Sequence, residues 1–254
     1  MIAGIDIGSR SMELVVLENG TPVHSRTLPT TFDPLSQCEE LLDGIKPSAV
    51  VGTGYGRELV KKILERLHPQ CPVSTVTEIK AHALGAVHWF PEARAVLDIG
   101  GQDTKAMSIK DGRVLKFEMN DRCAAGTGKF LEYTAGVFQI PVDEFGAYAL
   151  KGDKAPDISA MCTVFAETEA TSLMAQGHRP ENIALGLHKS IVKRTRNMLG
   201  RVGLSSPLVF TGGVAKNPCV LSLLKKELGA KARLLVPDEP DMTGALGAAL
   251  SALA

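Results

Sequence analysis

Two segments of the chain end an apolar run on an aspartate and follow it with small residues: Asp6-Ile7-Gly8-Ser9 and Asp98-Ile99-Gly100-Gly101-Gln102-Asp103. Glycine lets a chain turn sharply after a strand, and the backbone N–H groups of such a turn can face a phosphate. The aspartate can hold Mg²⁺ through water. Either segment alone is equally an acid and a tight turn at a strand end. The pair is more specific. Facing each other, the two loops would grip the β- and γ-phosphates of a nucleotide, with Asp6 and Asp98 around one metal ion. Gln102 or Asp103 would then orient the attacking water.

A third segment, Phe210-Thr211-Gly212-Gly213-Val214-Ala215, is followed by Lys216 and Asn217. Paired glycines after a strand let a flat base or ribose approach the backbone, or simply make a tight strand-to-helix turn. A fourth, Gly244-Ala245-Leu246-Gly247-Ala248-Ala249, has small residues at the spacing that permits close helix crossing, useful at a hinge or as plain packing. Gly126-Thr127-Gly128-Lys129 imitates a P-loop but fails at both ends. Cys123 stands where the first glycine belongs, and Phe130 where a Ser or Thr does.

The cysteines are Cys38, Cys71, Cys123, Cys162 and Cys219, an odd and sparse set with no CxxC, unlike a disulfide framework. Cys123 and Cys162 each precede a helical run. A helix N-terminus favours a thiolate and offers N–H groups to an anionic cluster. A four-iron cluster takes four thiolates, so a two-fold dimer of a chain with two would supply them. Two buried structural cysteines are the alternative.

These residues need elements to carry them. Apolar runs over 2–7, 13–18 and 23–28, with Asn19-Gly20 as a hairpin turn, predict a β-meander. A short helix over 34–45 and a strand over 49–51 follow, then a loop at Gly52-Thr53-Gly54-Tyr55-Gly56 and helices over 57–67 and 78–89. The pattern restarts near Pro91: strands over 95–99, 104–109 and 114–119, with Asp111-Gly112 as the turn. Two Asx-Gly turns at matched offsets behind two acid–glycine loops indicate an internal duplication, with lobes at 1–92 and 93–254. Helices are predicted over 124–138, 141–150, 163–176, 180–202 and 242–253, and a strand over 207–211. The final helix is able to pack back on the first lobe. His82 and His88 share one helix and read as packing or surface residues, and Trp89 as core.

Bulk composition excludes several classes. Of 254 residues, 44% are apolar and 22% charged, as in an ordinary globular domain, and the net charge of zero gives no electrostatic basis for nucleic-acid binding. No apolar run is long enough to span a membrane, and the N-terminus lacks a secretory signal, so a cytoplasmic place is expected.

The four glycine-bearing segments, in this order, resemble the phosphate-1, phosphate-2, adenosine and connecting motifs of the actin, Hsp70 and sugar-kinase superfamily. That resemblance implies an α/β fold of two ribonuclease-H-like lobes closing on ATP or ADP with Mg²⁺. It places nucleotide contacts at Gly8, Ser9, Arg10, Gly100, Gly101, Gly212, Gly213, Val214, Lys216, Asn217 and Gly244. The wording Asn-Asp-Arg-Cys-Ala-Ala-Gly-Thr-Gly-Lys-Phe at 120–130, Cys-Thr-Val-Phe-Ala-Glu at 162–167, Asp-Ile-Gly-Gly-Gln-Asp at 98–103 and Thr-Gly-Gly-Val-Ala at 211–215 is closer still. It resembles the ATP-dependent activators of 2-hydroxyacyl-CoA dehydratases, the BadF/BadG/BcrA/BcrD ATPases. Benzoyl-CoA reductase ATPase subunits and reductases of double-cubane cluster proteins are similar. The match runs from end to end.

The resemblance implies a homodimer of an anaerobe holding one 4Fe–4S cluster through Cys123 and Cys162 of each chain. It implies ATP hydrolysis driving one low-potential electron, received from a donor such as ferredoxin or flavodoxin, into an iron–sulfur dehydratase or double-cubane partner. Cys38, Cys71 and Cys219 match no ligand of the family, and Gly52 to Arg57 matches a family segment of unassigned role. Lys80-Ala81-His82 departs from the Ser-Cys-His frequent in relatives. A small-molecule kinase of the same fold without a cluster, and an actin-like assembly protein, are the rival classes.

Overall fold

Each of the two aspartates is the last residue but one of the central strand of its own sheet. The computed structural model describes residues 1–67, 69–110, 112–158 and 162–253; Asp111 of the second turn and Met161 before Cys162 lie outside them. In the first sheet β1 (Ile2–Ile7), β2 (Ser11–Glu18) and β3 (Thr21–Pro29) form an antiparallel meander. After α1 (Pro34–Leu42), β4 (Ala49–Gly54) adds parallel to β1; after α2 (Arg57–Leu67), β5 (Val73–Thr75) adds to β4. Helix α3 (Glu78–Trp89) leads into the second sheet, where β6 (Ala95–Ile99), β7 (Thr104–Lys110) and β8 (Arg113–Asn120) repeat the meander. Helices α4 (Gly128–Val137), α5 (Val142–Ala149), α6 (Thr163–Ala175) and α7 (Pro180–Val202) intervene before β9 (Leu208–Thr211) joins β6 in parallel. Helix α8 (Pro218–Leu228), β10 (Leu234–Leu235) and α9 (Thr243–Leu250) complete the chain.

The sheet orders β3-β2-β1-β4-β5 and β8-β7-β6-β9-β10 are the same, so the duplication extends beyond the predicted meander to the parallel strands. The Asn19-Gly20 turn works as read, with φ of 51° and 82°; of the second turn, Gly112 takes 73°.

Alternate residues of β1 and β2 divide between two cores. Ala3, Ile5, Ile7, Met12, Leu14 and Val16 pack with α1 and α2, while Val15 and Leu17 meet Ala245, Leu246 and Ala249 of α9. The second sheet is covered on one face by a core drawn from α4 to α8, and on the other by Ala83 and Ala86 of α3. With both faces covered, the central strands read as continuous apolar runs.

The final helix therefore packs on the first sheet, and glycines make its approach possible. A Cβ at Gly4 would lie 2.0 Å from the Ala245 carbonyl, and one at Gly247 1.7 Å from the Ala81 carbonyl on α3. No helix among the described residues is long and apolar enough to cross a membrane.

Several boundaries differ from the sequence reading. Gly52-Thr53-Gly54 is strand, not loop, because it pairs with Ile5, Asp6 and Ile7; a long-range ladder overrides local glycine propensity. Helix α4 starts at Gly128 and not at 124, since Ala124 to Thr127 form a turn closed by Thr127 onto the Ala124 carbonyl. β5 and β10, three and two residues long, are too short to carry a period. The unpredicted α8 did have a signal, an N-cap Asn217 ahead of Pro218 at the first helical position.

Candidate active site

Strand register builds the site. Asp6 stands between Glu13 on β2 and Thr53 on β4; Asp98 stands between Lys105 on β7 and Thr211 on β9. Beyond each aspartate the same turn closes, with Gly8 donating to the Ser11 carbonyl and Gly100 to the Asp103 carbonyl, both at 3.0 Å. The amides between, of Ser9, Arg10, Gly101 and Gln102, have no backbone acceptor among the described residues. They are free to meet an anion. A Cβ on Gly101 would lie 2.5 Å from Arg10 Cγ and 3.0 Å from Ser9 Oγ, so the two loops touch.

A second pair of glycines completes the repeat. Gly54 and Gly212 have φ of 87° and 82°. A Cβ on Gly54 would stand 2.4 Å from Asp6 Oδ1, and one on Gly212 2.7 Å from Asp98 Oδ1. The Gly52–Arg57 segment is thus the first lobe's counterpart of Thr211-Gly212-Gly213, with Gly54 making room for Asp6 as Gly212 does for Asp98.

All of this lines one cleft of about 510 Å³. It gathers Asp6, Gly8, Ser9 and Arg10 from one loop, Asp98, Gly100, Gly101, Gln102 and Asp103 from the other, and Gly212, Gly213, Val214, Lys216 and Asn217 from the third segment. Gly244 is not on the wall but behind it, where a Cβ would reach to 2.0 Å from Asp6 Oδ2. The Asn217 side chain faces inward to the fold. Its oxygen accepts from the Cys219 and Val220 amides, capping α8, and its amide nitrogen lies 3.2 Å from His188 Nε2. Its backbone is engaged as well, the N–H donating to the Val214 carbonyl and the carbonyl accepting from the Leu221 amide, so Asn217 borders the cleft as contact surface.

Residues the sequence reading passed over carry much of the electrostatics. Lys105, buried, places Nζ 2.7 Å from Glu78, 2.7 Å from Asp103 and 3.2 Å from Asp98. His82, read as bland, is buried between the two aspartates, with Nε2 3.8 Å from Asp6 Oδ2 and Nδ1 3.4 Å from Asp98 Oδ1, the latter not in hydrogen-bond alignment. Only position on a helix was legible for His82, and position in a strand for Lys105. His88 is exposed, its ring edge-on to Trp89, which packs at the margin of the α9 core.

The two acids are held in opposite states. Burial, then Glu13 and Glu78, push Asp6 well above the usual carboxylate range. Burial would raise Asp98 too, but His82, Lys105 and the Thr211 hydroxyl outweigh it and hold Asp98 low. Burial lifts Glu13 to about 7 and Asp103 to about 6. Burial also holds His82 below its ordinary value, against the pull of Asp98. Two carboxylates from opposite sheets in one cleft form a hard oxygen donor set that suits Mg²⁺.

Cys123 and Cys162 lie outside the cleft, both half-buried. Cys162 is the N-cap of α6, as read. Cys123 is not at a helix end: it lies in the turn ahead of α4, its carbonyl accepting from Asn120 Nδ2 at 2.9 Å. Burial pushes the Cys38 and Cys219 thiols up to about 11 and about 12, and the Cys71 thiol also rises. Those three are poorly suited to thiolate ligation. Among the described residues no three His, Cys, Asp or Glu side chains are grouped to hold a metal. Two half-exposed thiols per chain fit a cluster completed by a second chain. Beside Cys162 the apolar Val164 and Phe165 are 60% and 69% exposed.

A protein-family model described as "BadF/BadG/BcrA/BcrD ATPase family" matches residues 3–252. The chain is 34% identical to the solved (R)-2-hydroxyglutaryl-CoA dehydratase component A of Acidaminococcus fermentans, with a TM-score of 0.89 over 98% of this chain and 96% of that one. It is 37% identical to the activator of the 2-hydroxyisocaproyl-CoA dehydratase from Clostridium difficile with bound ADPNP, with a TM-score of 0.88 over 99% and 93%. An ROK-family glucokinase of Streptomyces griseus, at 15% identity and a TM-score of 0.64 over 98% of each chain, shares the fold alone.

Proposed function

This chain belongs to the BadF/BadG/BcrA/BcrD ATPase family, and on that premise we propose that it hydrolyses ATP to drive a single low-potential electron into a partner iron–sulfur enzyme. The partner class is a 2-hydroxyacyl-CoA dehydratase, in keeping with the names of its relatives, or a double-cubane cluster protein. The electron donor is a ferredoxin or flavodoxin.

In this reading the loop amides and Arg10 take the phosphates, Asp6 and Asp98 face the Mg²⁺ that neutralises phosphate charge, and Gln102 or Asp103 orients the water. Val214, Lys216, Asn217 and the backbone at Gly212 and Gly213 border the nucleoside. Gly244 keeps Asp6 in place. Cys123 and Cys162 of two chains would hold a 4Fe–4S cluster, which supplies a one-electron store.

The observation that carries the proposal is the position of α4 between the cleft and the cysteines. Its first amides donate to the second loop, Gly128 to the Gly100 carbonyl at 2.9 Å and Lys129 to the Gly101 carbonyl at 2.7 Å. One turn on, Glu132 pairs with Arg10 of the first loop. Its neighbour Tyr133 donates to Glu167 on α6, the helix that Cys162 caps. The turn bearing Cys123 runs directly into α4. Nucleotide that moves either loop therefore pulls on both cysteine-bearing segments, and coupling requires that it favour one arrangement over another.

The test is iron chelation and redox titration of the anaerobically purified protein with no nucleotide, ADP, or a slowly hydrolysed ATP analogue. ATP analogue speeds iron removal and shifts the potential relative to ADP. Identical traces in all three states overturn the coupling.

A further inference from the structure

The two lobes repeat the aspartate, the turn and the positive-φ glycine, but two positions differ in kind. Where the first lobe has Ser11, closing the turn from Gly8, the second has Asp103; where the first has Glu13 beside its aspartate, the second has Lys105. What both lobes share suits a task done twice, the gripping of a phosphate chain from two sides. What only one lobe has suits a task done once. Hydrolysis uses one water and one γ-phosphate.

We propose that Lys105 is a positioning residue for ATP hydrolysis, fixing Asp103 so that one carboxylate oxygen stays on the ammonium and the other stands at the Gly100–Gly101 loop to receive the water's proton. The inference rests on the nucleotide site proposed above. Asp103 Oδ2 lies 2.7 Å from Lys105 Nζ. Its Oδ1 lies against Gly100, 2.7 Å from where a Cβ there would be. The ammonium has three carboxylates about it, hydrogen-bonded to Asp98 and ion-paired with Asp103 and Glu78. So surrounded and buried, Lys105 acts through the acids and does not bind nucleotide itself.

The step it serves balances. The water oxygen bonds to the γ-phosphorus, and its proton passes to Asp103 Oδ1. The bond from phosphorus to the bridging oxygen breaks, with its electron pair leaving on ADP. Without the cation, three carboxylates face one another unneutralised and Asp103 is free to rotate away from the water.

The experiment compares wild type, Lys105→Met, Lys105→Arg and Asp103→Asn in ATP hydrolysis, ADP affinity and thermal midpoint. Lys105→Met lowers kcat by ~100-fold with ADP Kd changed by less than about threefold, and Lys105→Arg retains more of the rate. Wild-type kcat in Lys105→Met, or lost affinity with kcat kept, overturns the inference. Wild-type kcat in Asp103→Asn removes the reading of Asp103 itself, and Lys105 with it. A loss in Asp103→Asn without one in Lys105→Met removes the role of Lys105 alone. Should Lys105→Met fold poorly, Lys105→Met/Glu78→Gln removes one unpaired acid with the lysine. A restored midpoint with kcat still low supports the proposal; recovery of both shows a purely structural role and overturns it.

Discussion

Glu13 and Lys105 occupy the same place in the two sheets with opposite charge, each directly across an antiparallel ladder from its lobe's aspartate. Burial raises both acids; Glu13, with Glu78, adds to the rise at Asp6, while His82 and then Lys105 draw Asp98 back down. Asp98 beside a buried ammonium is held anionic, while Asp6 beside a buried carboxyl is pushed toward the neutral form. A Mg²⁺ placed as proposed above would meet one carboxylate already anionic and one whose proton it must displace.

Glu13 gives a stability prediction with a definite sign. Its carboxyl is raised by burial to about 7 from an ordinary 4.5, so the folded state keeps a proton that the unfolded chain releases. Folded nucleotide-free protein therefore loses stability as pH rises from 4.5 to 7, by on the order of 3 kcal/mol from this group. Urea unfolding at pH 5 and pH 8 measures it. Glu13→Gln flattens the loss, and an equal slope in wild type and variant would refute the assignment.

Asp6→Asn and Asp98→Asn each lower ATP hydrolysis by about two to four orders of magnitude while iron content per chain stays at the wild-type level. Steady-state phosphate release alongside iron analysis tests both halves. Full activity in both variants would place the metal elsewhere.

Gly244→Ala separates packing from hinge. A methyl there would sit 2.0 Å from Asp6 Oδ2 and 3.1 Å from His82 Nε2, so the substitution displaces the aspartate. Hydrolysis falls at least about tenfold, with roughly 1–3 kcal/mol of stability lost to overpacking. Gly200, exposed on α7 with nothing within 4 Å of its would-be Cβ, is the contrast. Gly200→Ala raises the thermal midpoint slightly, by roughly 0.5 kcal/mol of helix propensity.

Replacing Cys123 or Cys162 with Ser bleaches anaerobically purified protein, which otherwise holds about four irons per two chains. The same change at Cys38, Cys71 or Cys219 leaves iron content alone. A colourless wild type from iron-replete, anaerobic preparation would end the cluster proposal.

Local rules reached a long way into this protein. The acid–glycine loops, the Asn19-Gly20 turn and the span of α7 are written in adjacent residues, because a strand end, a left-handed turn and a helical stripe are each decided within a few positions. The order of those segments was enough to indicate the superfamily. What lay beyond reach was set by partners distant in sequence. Gly52-Thr53-Gly54 looked like a loop until β1 paired with it, and His82 looked idle until two sheets brought Asp6 and Asp98 to its two nitrogens. Asn217 looked like a ligand contact until its side chain was committed to α8 and His188. Lys105 shows the limit most plainly. Its charge was visible in the sequence, but three carboxylates from α3, β6 and the turn after β6 give it meaning, and only the register of the second sheet and the packing of α3 against it bring them together.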